Sequence, residues 1–289
     1  MKKLSTFAII LLVVLGCERE IPFTGSTGKS QIVINGINEV GKPIEVELFR
    51  SVPITLNYYG TALELNDANV VLTVSDGQSE VIQGNDNKYT STIQPEEGKT
   101  YTLEVTHPDF EGAAIGEYKV PLSPEFAYAD LYQFQSNNGE GYRKVKFQIK
   151  NPRGVRNYYT LQFIALTEAG AAYQLDFSSF DPKLQYSNFE EENGRKYFYG
   201  EALISDVGFE NVDMEFDVDV FSPLTALDSI YMVVSSIPSD LYLYRLSVRE
   251  QEATSWDPFS EPGIVSNEIQ NGIGLFTVKS PATKAWVID

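Results

Sequence analysis

The sequence predicts an all-β chain built as two β-sandwiches of immunoglobulin or transthyretin type, the second carrying one amphipathic helix. Three observations lead there. Short runs of alternating apolar and polar residues recur between turn residues about every ten positions. Helical periodicity is almost absent before residue 239. Of the 289 residues, 43% are hydrophobic and 12% aromatic, which is enough to fill packed cores. A barrel is the alternative closure of the same strands.

The chain opens with Lys2 and Lys3, then an apolar run from Leu4 to Leu15, then Gly16 and Cys17. That run is shorter than the ~20 residues a helix needs to span ~30 Å of hydrocarbon, so it reads as a signal peptide over 1–16. Val14-Leu15-Gly16-Cys17 resembles the lipobox of bacterial lipoproteins, in which a small residue precedes a cysteine that is acylated before cleavage. Leu15 is bulkier than the residue usual at its place. The expectation is a mature protein that starts at Cys17 and is held on a membrane by its acyl chains, each buried methylene contributing about 0.8 kcal/mol. Cys17 is the only cysteine and His107 the only histidine, so an internal disulfide and zinc sites of the usual Cys/His spacing are excluded. Residues 17–30 read as a flexible tether, Gly-, Ser- and Thr-rich from Thr24 to Ser30. Glu18, Arg19 and Glu20 resemble the acidic export signals of Bacteroidota surface lipoproteins.

Residues 31–122 form the first predicted sandwich. Gln31 to Ile34 is a β-branched run that ends at Asn35-Gly36, and Ile44, Val46 and Leu48 share one face of the next strand. Val70, Leu72 and Val74 lead into Asp76-Gly77, a tight hairpin signal. Pro95 to Tyr101 reads as a turn that delivers an aromatic into the core, followed by Leu103 and Val105. His107, beside Pro108, reads as a surface or capping residue at a strand end.

Val120-Pro121-Leu122-Ser123-Pro124 holds two prolines that cannot donate in a ladder, and marks the linker to the second sandwich, 125–289. There, Val145, Phe147 and Ile149 alternate, Asn151 to Gly154 turns the chain, and Tyr158 to Leu166, Tyr197 to Ile204 and Ser229 to Ser235 read as strands. Asp213, Glu215, Asp217 and Asp219 alternate with apolar residues, so their carboxylates fall on one face about 7 Å apart. Calcium is the sharp reading of that row and a solvated outer face the favoured one, because a straight strand does not converge its oxygens as a calcium loop does. The helix is expected over 239–253, capped by Ser239 or Asp240, with Leu241, Tyr244 and Val248 on one stripe widened by Leu243 and Leu246. Tyr242 and Tyr244 offer stacking surface to a sugar or peptide, or else line the rim of the core.

Net charge is −18, and loss of Lys2 and Lys3 with the leader takes it to about −20, a field that repels nucleic-acid phosphates and anionic lipid. No Walker or dinucleotide loop occurs, and a triad would have to use His107. A glycosidase needs only two carboxylates, and the sequence singles out none. The chain is therefore read as non-catalytic and without a cofactor.

The closing stretch Asp257-Pro258-Phe259-Ser260-Glu261-Pro262, then Val265-Ser266-Asn267, then Asn271-Gly272-Ile273-Gly274-Leu275-Phe276, is similar to the closing signature of a Bacteroidota lipoprotein family known as domain of unknown function 4249. The helix with Asp240, Tyr242, Tyr244 and Ser247, and Cys17 to Ile21 followed by Ile32 to Gly36, carry the same resemblance. The glycines of the closing stretch read as positive-φ turns before a last strand, Gly274 to Val278, since a phosphate cradle needs a helix where a strand follows. The resemblance implies an outer-membrane lipoprotein in the company of TonB-dependent transporters that import glycans, peptides or metal complexes. The expected role is an accessory that binds a ligand or docks on the transporter barrel. A structural or adhesive surface lipoprotein is the alternative, and a glycan-active enzyme the least favoured.

Overall fold

Alternating side chains with glycine or Asx turns between them give a chain that is mostly strand, with one helix among the described residues. The computed structural model describes residues 29–52, 63–135, 141–185, 189–221, 227–254, 261 and 263–288. The predicted leader 1–16, Cys17, the tether up to residue 28, and Asp257 to Ser260 with Pro262 lie outside them. Gln31–Ser51 together with Ala62–Asp289 form one compact unit; the other, Met1–Ser30 with Val52–Thr61, falls almost wholly outside the described residues. No helix among the described residues is long and apolar enough to cross a membrane.

The first lobe holds β1 (Ile32–Glu39), β2 (Glu45–Arg50), β3 (Asn69–Val74), β4 (Ser79–Ile82), β5 (Gly84–Asn85), β6 (Lys88–Thr90), β7 (Thr100–Thr106) and β8 (Ala114–Lys119). In the second follow β9 (Glu125–Gln135), β10 (Gly141–Lys150), β11 (Tyr158–Thr167), β12 (Ala172–Leu175), β13 (Phe177–Ser179), β14 (Leu184–Gln185), β15 (Phe189–Glu192) and β16 (Arg195–Phe198). The chain ends with β17 (Glu201–Ser205), β18 (Met214–Val220), β19 (Leu227–Ile237), α1 (Ser239–Thr254) and β20 (Ile273–Val287).

Three sheets result. One runs β4-β3-β7-β8, a second β15-β16-β13-β18-β10-β9, and the third, of ten strands, β14-β17-β11-β19-β20-β1-β2-β6-β5 with β12 added beside β11. The large sheet is continuous over both lobes because β20 lies parallel to β1 and antiparallel to β19. Two apolar cores flank it. The first gathers Ile34, Leu48, Leu72, Tyr101 and Leu103 with Phe276 and Val278. The second gathers Phe147, Phe163, Phe177, Phe216 and Met232 with Leu275. Period-two alternation along β20 thus sends neighbouring residues of one strand into different cores.

Local chemistry accounts for the turns. At Asp76-Gly77 the hairpin between β3 and β4 closes as expected, with Gly77 at φ 94° and the Gln78 amide donating to Asp76 Oδ1 at 3.0 Å. Tyr101 is buried and its hydroxyl donates to the Gln94 carbonyl at 3.2 Å and accepts from the Glu96 amide at 3.0 Å, which fixes the turn before β7. His107 Nδ1 accepts from the Asp109 amide at 3.1 Å, a capping role.

Several expectations need correction. β1 does not stop at Asn35-Gly36 but runs to Glu39: a Cβ on Gly36 would come within 2.7 Å of Val46 and 3.3 Å of Phe276, so this glycine serves close packing, and the turn is made at Gly41, φ 85°. Tyr197 to Ile204 is not one strand; Gly200, φ 104°, breaks it into β16 and β17. The last strand continues well past Val278 to Val287. Gly272 is held by crowding against Ile32 and Ala114, while Asn271 and Gly274 alone take positive φ.

Glu201 is buried where β17, β20 and α1 converge. It accepts from Lys279 Nζ at 2.9 Å and Gln162 Nε2 at 3.0 Å, and lies 3.7 Å from Arg245 of α1. Neutralising it leaves two cations facing each other at the helix–sheet contact.

Two stability predictions follow from these contacts. A Cβ at Gly274 would sit 2.0 Å from the Ile34 carbonyl oxygen, whereas one at Gly41 meets nothing within 4 Å. Gly41→Ala is therefore expected to cost about 1 kcal/mol for its positive φ, and Gly274→Ala more than twice that, by denaturant titration. Equal losses would contradict the close approach of β20 to β1. Glu201→Gln should cost toward the low end of the ~3–5 kcal/mol for breaking a buried pair, since Lys279 and Arg245 keep some water. An unchanged denaturation midpoint would remove Glu201 from the account of how α1 is held.

Candidate functional site

The linker, with prolines that cannot join a ladder, leaves a gap beside the strands it connects. A cleft of about 910 Å³ opens there. One wall is Val120 to Glu125, the second the turn between β10 and β11 from Lys150 to Tyr159, and the third the junction of β19 and α1 from Ser236 to Ser239. Leu122, 65% exposed, and Val155, 58% exposed, give it apolar surface open to water. Ligand sites are commonly concave, apolar and furnished with a few fixed polar groups.

Those walls are tied down. Ser280 Oγ donates to the Pro121 carbonyl at 2.7 Å, and the Ser123 amide donates to Glu97 at 2.9 Å. Behind the β10–β11 turn, Asp206 is fully buried, and its Oδ2 accepts from Asn151 Nδ2 at 3.1 Å and Asn157 Nδ2 at 2.9 Å. Asn157 also donates to the carbonyls of Pro152 and Val155, at 3.0 and 3.1 Å. Tyr159 hydroxyl donates to Asn151 Oδ1 at 3.1 Å, and burial first, then the Asp206 charge, push its phenol well above the usual range. Lys150 pairs with Glu125 across the mouth. Sequence reading found the turn at Asn151-Pro152 and the linker prolines but not Asp206, whose partners are about fifty positions away in the chain.

The acidic row occupies β18 and the residue before it, and the register explains how it is tolerated. Lys144 and Lys146 of β10 lie opposite Asp219 and Asp217. Lys144 Nζ is 2.9 Å from Asp217 and 3.4 Å from Asp219, Lys146 is 3.4 Å from Asp217, and Arg195 of β16 is 2.8 Å from Asp219. Asp213 accepts from the Asn151 amide at 3.3 Å instead. Glu215 faces Tyr128, whose phenol is pushed up to about 12, chiefly by burial and then by that carboxylate. Among the described residues no group of three or more acidic, His or Cys side chains converges to hold a metal ion. The sequence pattern showed the acids of one strand but not the bases of its neighbours.

Tyr242 does not present a free ring. It is buried, stacks on Tyr158 with centroids 4.5 Å apart, and donates its hydroxyl to Gln185 at 3.0 Å. Tyr244 and Leu246 pack against the second core, whereas Leu243, expected to widen the apolar stripe, is exposed. Ser247 Oγ accepts from the Ser266 amide at 2.8 Å and so fastens the returning chain to α1. Asn267 shapes the closing turn, its amide donating to Gly272 O at 3.1 Å and its oxygen accepting from the Gly274 amide at 2.9 Å. Ser266, Asn267, Gly272 and Gly274 of the closing stretch thus shape the entry to β20.

The family described as "Domain of unknown function (DUF4249)" matches residues 18–285. No curated protein matches the chain. Among solved structures, that of bovine butyrophilin is similar at 8% identity with a TM-score of 0.19, covering 72% of this chain and 92% of that one, a likeness too low to inform fold or function.

Calorimetric titration of the full chain with calcium is expected to show no saturable heat, because lysine and arginine already hold Asp217 and Asp219. Stoichiometric uptake abolished by Asp217→Asn with Asp219→Asn would contradict that assignment.

Proposed function

Because this chain belongs to the DUF4249 family, we propose that it is a lipid-anchored outer-membrane binding protein, an accessory of a TonB-dependent transporter. The observation that carries the binding role is the cleft beside the linker. It combines apolar surface open to water with walls pinned by Ser280, Asp206 and the two asparagines. A site held in shape before ligand arrives loses less entropy on binding. Anchoring rests on Cys17, the sole thiol, directly after a short apolar run that begins with two lysines. The transporter partnership rests on the resemblance read from the sequence, and the acidic surface of the chain favours a protein partner over an anionic lipid one.

Replacing Cys17 by serine should release the protein from membranes, and labelled fatty acid should no longer be incorporated. Purification of the wild-type protein from native membranes in mild detergent should bring a barrel transporter with it. A Cys17→Ser protein that stays as firmly membrane-bound would refute the anchor, and recovery of the wild type without any barrel would refute the partnership.

A further inference from the structure

The side chains that line the cleft carry a net charge opposite to that of the chain, although Asp206 lies behind one wall and Glu97 holds another. The protein carries −18 overall, yet the lining holds Lys119, Lys150 and Arg156 against a single carboxylate, Glu125. Lys150 and Glu125 neutralise each other. Among the described residues, Lys119 and Arg156 have no carboxylate within ion-pair distance. Glu210 is the acid that feels Arg156, and its carboxyl is held below the usual range first by backbone amides, including that of Gly208, and last by the Arg156 charge. Arg156 is exposed and sits next to Asn157, whose amide is fixed by three acceptors, so its backbone is anchored while its guanidinium is free to receive a ligand.

Beside these cations lie Leu122 and Val155, the two apolar side chains most open to water in the cleft. Apolar walls lower the local dielectric and strengthen an ion pair made against them. A guanidinium donates two parallel hydrogen bonds to a carboxylate, an interaction that a neutral amide or alcohol cannot match. Resting on the reading of this cleft as the ligand site, we infer that it binds an amphipathic anion, with an apolar segment laid over Leu122 and Val155 and a carboxylate held by Arg156. Lys119, the last residue of β8 before the linker, adds a second positive charge to the lining. Either an alkyl carboxylate or the free C-terminus of an apolar peptide has this chemistry.

The test is calorimetry on the full chain in non-ionic detergent against a detergent blank. The probes are octanoate, octanamide, and the peptide acetyl-Val-Leu-Leu with a free or an amidated C-terminus. The variants are Arg156→Gln and Leu122→Asp, both at exposed positions, and an unchanged thermal midpoint confirms that each folds. A carboxylate probe is expected to bind about tenfold or more tighter than its amide, and Arg156→Gln to remove that difference. Preference for octanoate over the peptide acid marks a lipid-like source, and the reverse marks a peptide; either supports the inference. Equal binding of acid and amide, weakened by Leu122→Asp but untouched by Arg156→Gln, would overturn the anionic assignment and leave the cleft as a binding site. No binding of any probe would overturn the inference and the cleft reading together.

Discussion

The pairing of the last strand with the first governs this molecule. β20 enters between β1 and β19, parallel to one and antiparallel to the other, and Gly274 lets it approach Ile34 more closely than any residue with a Cβ would allow. Its alternating side chains then serve two cores, Leu275 in one and Phe276 and Val278 in the other. Asn38 reinforces the join, donating to the Thr277 carbonyl at 3.2 Å across 239 positions of sequence and accepting from the Glu45 amide at 2.8 Å. Closing so long a loop is entropically costly, and burial of Phe276 and its neighbours in both cores offsets it.

The same strand shapes the cleft. Ser280 lies opposite Ser236 in the β19–β20 ladder and donates to Pro121, so the linker wall and the β19–α1 junction share one support. Asp206 and its two asparagines do the equivalent for the β10–β11 turn. Unlike a loop site free to collapse, this cleft has its linker wall and its β10–β11 wall each held by a hydrogen bond to a buried group, Ser280 and Asp206 respectively.

Much of the strand order was legible because alternation reports which face of a strand is buried. Val70, Leu72 and Val74, then Asp76-Gly77, read directly as a strand and its hairpin, and Ser239-Asp240 after Pro238 marked the helix start. Alternation is silent about partners. It does not show that β20 returns to β1, that Lys144 and Lys146 face Asp219 and Asp217, or that Asp206 joins Asn151 and Asn157, since each contact is set by packing far along the chain. Glycine misled for a related reason. Gly36 and Gly77 look alike in sequence, yet one makes room for Phe276 and the other makes a turn.

The claim that β20 couples both cores is tested most directly by native-state amide hydrogen exchange on Phe276→Ala, a truncation of the kind that costs about 3–5 kcal/mol in a core. Loss of protection in β1 and β8 of the first lobe is expected to be matched by loss in β11 and β19 of the second, by the same free energy. Full protection retained in β11 and β19 while β1 and β8 exchange freely would show two independent lobes and contradict the account.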